Sequence, residues 1–349
     1  MKTGNNHVHA YRGYYTAVIT ALIALWGCSK KSPTLAPPAP QDTPWTWTEI
    51  HSGGLEPWAL DVDPKNGSVI YVASSLDSGG IWKSTDGGGS FTKVWAEGAW
   101  DVTVDPNNRN VVYLARNGVL RSRDGGGTWS RLNNLNAWYV QPDRFDSSYI
   151  FAGGYRSTDY GATWQTMNPS YEITDLVQSR LNPNLLYLAR TMPGGVGIVF
   201  QSTDRGVTWL PLNAYGSFDR LSIDPLDDQR LYFITSHWSS EDSLRRTSDG
   251  GTTWEAFPVG QNTRYYGVAP VVVDTRLGLG QVLYAGGQGV HRSFDYGKTW
   301  RTIGLEGVCV KDIEVDPTAP TNTTVLYVTA PCWGNPGYCD RVYRGAPGN

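Results

Sequence analysis

The stretch RSFDYGKTW, residues 292–300, holds the tripeptide Gly-Lys-Thr at 297–299. Alone, it suggests a phosphate-binding loop. Such a loop needs another glycine five residues before Gly297, and that position is Arg292. The stretch is instead the sixth copy of a repeat, after KSTDGGGSF (83–91), RSRDGGGTW (121–129), RSTDYGATW (156–164), QSTDRGVTW (201–209) and RTSDGGTTW (246–254). The aspartates Asp86, Asp124, Asp159, Asp204, Asp249 and Asp295 lie 35–46 residues apart. A period near 40 is the size of one four-stranded propeller blade. Within the repeat, Ser and Asp side chains can cap backbone N–H groups of a tight turn, and Gly supplies positive φ. Thr-Trp then opens a strand, with the indole packed over the turn. The six aspartates are therefore structural.

A second element precedes each copy. LDVDP ends at Pro64, VTVDP at Pro106, LSIDP at Pro225 and IEVDP at Pro317, while VVVD ends at Asp274. Divergent versions run over 140–143 and 176–179. Each leads into an apolar run centred on Tyr71, Tyr113, Phe151, Tyr187, Tyr232, Tyr284 or Tyr327. The unit reads as strand A, an Asp-Pro turn, strand B, a variable loop, strand C, the repeated turn and strand D. There are seven units, and the last has no repeat after it. TWTEI (46–50), near the start, matches TWSRL (128–132), TWQTM (163–167) and TWRTI (299–303). The sequence thus predicts an all-β, seven-bladed β-propeller over 45–349, in which the N-terminal strand completes the last blade and removes the free edges.

Composition agrees. The 349 residues are 40% hydrophobic and 17% charged, with 40 Gly, 15 Trp and 20 Tyr, as short strands joined by tight turns require. A net charge of −3 lacks the basic face that nucleic acid demands. Residues 1–27 read as an export signal: Lys2 and Arg12, then the apolar run TAVITALIALW (16–26), too short to span a bilayer comfortably. LWGC (25–28) resembles a bacterial lipobox, which implies lipidation of Cys28. The Pro-rich segment 28–44 reads as a tether. The expected location is outside the cytoplasm, held at a membrane by the lipid anchor alone and facing the periplasm or cell surface. Cys332 and Cys339 flank the turn-rich WGNPGY and form the expected disulfide, with Cys309 to Cys332 the competing pair. No cofactor or metal is expected. Each repeat offers one carboxylate where calcium takes six or more oxygens, and three cysteines without a nearby histidine make a poor zinc set.

The pattern Ser-x-Asp-x-Gly-x-Thr-Trp resembles the Asp-box, or BNR, repeat of β-propellers in the sialidase, xyloglucanase, sortilin and photosystem II assembly-factor families. In size, anchor and blade number the chain resembles the last of these, the Ycf48-like family, over nearly all of residues 45–349. That resemblance implies a non-enzymatic, monomeric scaffold for a protein or peptide partner. The alternative is a glycan-binding protein or a xyloglucanase-like glycoside hydrolase. Sialidase activity is not expected, since the Arg-Ile-Pro-type motif near the first blade is missing and Arg220 is the one arginine assigned to an inner strand.

Blade topology places the Asp-Pro turns and the repeated turns at one end of the ring. Variable loops and strand A starts lie at the other, where a rigid scaffold presents binding groups. Trp58, Trp100 and Trp138 each precede a strand-ending aspartate by five residues, so they share one position near the channel mouth and could stack on a ligand. One residue on come Ala59, Asp101, Tyr139, Asp175, Arg220, Pro270 and Asp312, expected on the other side of the strand and lining the channel. Asp101, Asp175 and Asp312 are the candidate catalytic carboxylates, since glycoside hydrolysis needs two across a cleft. Tyr139 and Arg220 join the three tryptophans as binding candidates, together with Trp238 in a B–C loop and Tyr265 and Tyr266 in a D–A loop.

Overall fold

The computed structural model describes residues 43–52, 56–168, 173–191, 197–216, 218, 220–235, 243–259, 270–275, 282–320, 323–331 and 340–348. Lipidation at Cys28, the tether, the Cys332–Cys339 pairing, Trp238, Tyr265 and Tyr266 fall outside them.

Strands Pro57–Val62, Ile70–Ser74, Ile81–Ser84 and Thr92–Trp95 form the first blade, hydrogen-bonded in sequence order. Six further four-stranded antiparallel sheets follow. Blades two to six begin with strand A at Asp101–Val104, Val140–Pro142, Ile173–Gln178, Ser222–Asp224 and Val271–Asp274. The protein is thus a seven-bladed, all-β propeller. Burial follows strand position. Strand B is enclosed along its whole length in Ile70–Ser74, Val112–Ala115 and Leu326–Ala330, and over the last five residues of Asp227–Thr235, so it reads there as an unbroken apolar run rather than an alternating one. Outer strands Ser130–Arg131 and Gln165–Thr166 are exposed.

The seventh sheet contains Asp312–Val315, Leu326–Ala330, Arg341–Pro347 and, from the other end of the chain, Trp45–Ser52. Trp47 lies opposite Gly345 in the antiparallel register. Its Nε1 donates to the Ile303 carbonyl at 2.9 Å, and its ring stacks on Trp45 with centroids 5.7 Å apart. A side chain at Gly345 would meet that indole at 2.5 Å.

The repeated turn uses its residues as the sequence suggests. In the stretch 292–300, Ser293 Oγ accepts the Gly297 N–H at 2.8 Å and donates to Asp295 Oδ1 at 2.8 Å. Asp295 accepts the Thr299 N–H at 2.9 Å and its hydroxyl at 2.7 Å, and Trp300 Nε1 caps the Gly297 carbonyl at 3.0 Å. Gly297 has φ +82°, and a Cβ there would sit 2.0 Å from Leu244 of the neighbouring blade. Lys298 and Thr299 thus belong to a hairpin. Basic residues that open several of the repeats link blades. Lys83 Nζ donates to the Gly125 carbonyl of the next turn at 2.7 Å, Arg156 to that of Arg205 at 3.2 Å, and Arg246 to that of Tyr296 at 3.0 Å.

Candidate functional site

Two regions of the ring gather chemistry-bearing side chains. The first is the end opposite the repeated turns, which dock on the A–B turns through bonds such as Gly125 N–H to Asn110 carbonyl and Arg205 N–H to Asn184 carbonyl. At the far ends of three consecutive A strands, Trp58, Trp100 and Trp138 form one arc. Trp58 meets Trp100 edge-on at 5.5 Å between centroids, and Trp100 meets Trp138 at 5.1 Å. Lys311 Nζ lies 4.3 Å from the Trp58 ring, and the Arg116 guanidinium 4.8 Å from that of Trp100. Arg116 is itself held by the Ser75 carbonyl at 2.7 Å and by Asp77. Trp58 and Trp100 are half-buried, whereas Trp138 is 48% exposed. The arc therefore presents its free surface at Trp138, and its rings already hold cations at stacking distance.

The second region is the channel. Asp101, Asp175, Arg220 and Asp312 line it together, as the alignment of the units anticipates. Two members of that set differ. Ala59 is buried in the core between blades one and two. Tyr139 reaches the channel wall but is only 4% exposed, and its hydroxyl donates to the Gly153 carbonyl at 2.6 Å. Asp61, two residues beyond Ala59, contributes a fourth aspartate. It stands two residues beyond the one position per A strand that the alignment considered, where alternation returns a side chain to the same face.

The aspartates clasp neighbouring blades. Asp312 Oδ2 accepts the Leu60 N–H at 3.0 Å, Asp61 that of Val104 at 2.6 Å, Asp101 that of Val140 at 2.9 Å and Asp175 that of Leu221 at 2.8 Å. Each bond crosses from one blade to the next. Arg220 Nη1 approaches Asp312 Oδ1 at 3.3 Å. Burial pushes Asp61 up to about 7 and Asp101 up to about 6, against the backbone N–H groups that favour their ionised forms. Glu314 is held well above the ordinary carboxylate range by burial and by Asp61 and Asp312 nearby. With their oxygens engaged across the blades, Asp101, Asp175 and Asp312 serve closure of the ring. The half-open space there is about 230 Å³ and shares lining residues with a second space of about 220 Å³. Among the described residues, no group of three His, Cys, Asp or Glu side chains is placed to hold a metal ion.

Arg144 and Arg180 also line both spaces, and neither was singled out from the sequence. Both occupy turns whose divergence from the Val-Asp-Pro pattern was visible: they stand where Pro64, Pro106, Pro225 and Pro317 stand in other blades.

This architecture defines the class: a seven-bladed β-propeller built from a repeated Ser-x-Asp turn. No protein-family profile matches the chain. A xyloglucanase of Hypocrea jecorina (strain QM6a) is 29% identical over 109 residues, which is 31% of this chain and 12% of that protein. Among solved structures, the Niastella koreensis GH74 enzyme superposes with a TM-score of 0.59 at 23% identity, covering 82% of this chain and 52% of that one. The structure of YCF48 bound to D1 peptide superposes with a TM-score of 0.61 at 14% identity, covering 88% of this chain and 96% of that one. The chain therefore spans about half the GH74 enzyme, an eighth of the matched xyloglucanase and nearly the whole of YCF48. These likenesses share its fold.

Proposed function

We propose that the protein is an exported lipoprotein, anchored through lipidated Cys28, whose propeller is a non-enzymatic scaffold that binds a protein or peptide on the face carrying Trp58, Trp100 and Trp138. The carrying observation is the continuous indole arc across three blades, open to solvent at Trp138. Large aromatic side chains on a rigid frame bury much area at little entropic cost, as partner-binding anchors require. Fold similarity over nearly the full length of YCF48, solved with a peptide, supports the same partner class.

The second reading, a glycan binder or glycoside hydrolase, draws on the same indoles, whose faces stack on sugars, and on the GH74 likeness. The engagement of Asp101, Asp175 and Asp312 in blade-to-blade bonds supports the scaffold over the hydrolase, which needs two carboxylates facing each other across an open groove. The test is a pull-down with the lipidated protein beside a glycan array. The scaffold reading expects a peptide or protein partner and no oligosaccharide; binding of defined oligosaccharides with no protein partner would defeat it.

A further inference from the structure

The end of the channel beside the Asp-Pro turns is built differently from the rest of the ring. In blades three and four the turn proline is replaced by Arg144 and Arg180, and both guanidiniums line the channel spaces. Among the described residues neither makes an ion pair, and Arg144 Nε is buried with no hydrogen-bond partner. Arginines outside the channel do pair: Arg205 grips Asp143 at 2.8 Å, and Arg230 holds Asp224 at 2.8 Å. A buried guanidinium without a carboxylate is costly unless something else supplies the charge. Burial and the neighbouring Arg180 bring Arg144 down to about 10, although Asp61, Glu314 and Asp143 act on it in the opposite sense from beyond ion-pair distance. Glu314 shares the space, and Arg220 and Arg144 are among the charges that act on it.

The rim of this mouth is asymmetric. The residue after the turn proline or arginine is Lys65, Asn107 and Thr318 in blades one, two and seven, all exposed and polar. In blades three, four and five it is Phe145, Leu181 and Leu226, which are 45%, 58% and 57% exposed. Apolar side chains thus stand on the same side of the mouth as the two unpaired guanidiniums.

We propose that this mouth binds a carboxylate that adjoins an apolar group, with the carboxylate between Arg144 and Arg180 and the apolar group over Phe145, Leu181 and Leu226. Guanidinium pairs recognise planar carboxylates through paired N–H bonds. A space near 230 Å³ holds such a head group and several waters, each with a share of about 30 Å³. The carboxylate can come from a small free acid or from an acidic residue flanked by apolar ones in a peptide. The site is independent of the tryptophan face at the opposite end.

The experiment is isothermal titration of the full chain at low salt with sodium hexanoate, sodium acetate, inorganic phosphate and the peptide acetyl-Leu-Asp-Leu-amide. Hexanoate or the peptide, or both, should bind at least tenfold tighter than acetate or phosphate, and whichever is tighter identifies the source. Arg180→Gln and Arg144→Gln should each weaken that binding tenfold or more, while Trp138→Ala leaves it unchanged. Should Arg144→Gln fail to fold by circular dichroism, Arg180→Gln, on the more exposed residue, and Phe145→Ser carry the test. No binding by any probe, equal binding of acetate and hexanoate, or full affinity in Arg180→Gln would overturn the proposal.

Discussion

Replacing Trp47 with alanine probes how the ring is shut. Trp47 lies on the one strand that comes from the far end of the chain to complete the last blade. The substitution removes an indole half-buried against Gly345 and Trp45, and with it the bond to the Ile303 carbonyl. A fully buried Trp→Ala change costs about 3–5 kcal/mol. With part of the ring still in water, about 2–3 kcal/mol is expected. A domain of this size loses roughly 2 °C of Tm per kcal/mol, so scanning calorimetry should show a drop on the order of 4–6 °C. Thr46→Ala, one residue away on the exposed side of the same strand, should stay within about 0.5 kcal/mol. A shift for Trp47→Ala no larger than that for Thr46→Ala would mean that this strand does not hold the ring closed.

Three further outcomes follow from the electrostatics and the export reading. The repeated-turn aspartates Asp86, Asp124, Asp159, Asp204 and Asp249 are held down to about 2 by hydroxyl and backbone donors. Their contribution is complete above the unfolded value near 4 and is lost as pH falls through about 2. Asp124→Ala should therefore lower Tm at pH 7 and narrow its gap to the unsubstituted protein at pH 2. The channel carboxylates act with the opposite sign. With Asp61 raised to about 7 and Asp101 to about 6, the folded state binds more protons than the unfolded one between about pH 4 and 7, so their part of the stability declines as pH rises through that window. Asp61→Asn should flatten the decline in denaturant titrations; an unchanged slope would remove Asp61 as its source. Cys28→Ser should shift the protein from the membrane to the soluble fraction and abolish the mass of a lipid adduct, whereas unchanged membrane fractionation would refute the anchor.

Most of the architecture was legible because a propeller repeats its local chemistry. Ser293, Asp295, Gly297 and Trp300 each act within nine residues, so their roles need no tertiary knowledge. The common position of Trp58, Trp100 and Trp138 on successive A strands was enough to bring their rings together. What escaped depends on contacts between blades. The carboxylates of Asp101, Asp175 and Asp312 face the channel as expected, but a single unit cannot reveal that each is spent on the next blade's N–H. Asp61 was missed because only one position of each A strand was compared, and Asp61 stands two residues further along. Arg144 and Arg180 were visible as departures from Val-Asp-Pro, yet only the ring brings them into one space with no ion pair within contact distance among the described residues.

We propose that the tryptophan face, and not the turn end, holds the partner. Capture of the same partner by the unsubstituted protein, Trp138→Ala and Arg180→Gln separates the two ends. Loss of an exposed aromatic anchor costs about 2 kcal/mol, or roughly thirtyfold in affinity. Trp138→Ala should lose the partner to that extent while Arg180→Gln retains it. Full retention by Trp138→Ala, with loss in Arg180→Gln, would contradict the claim.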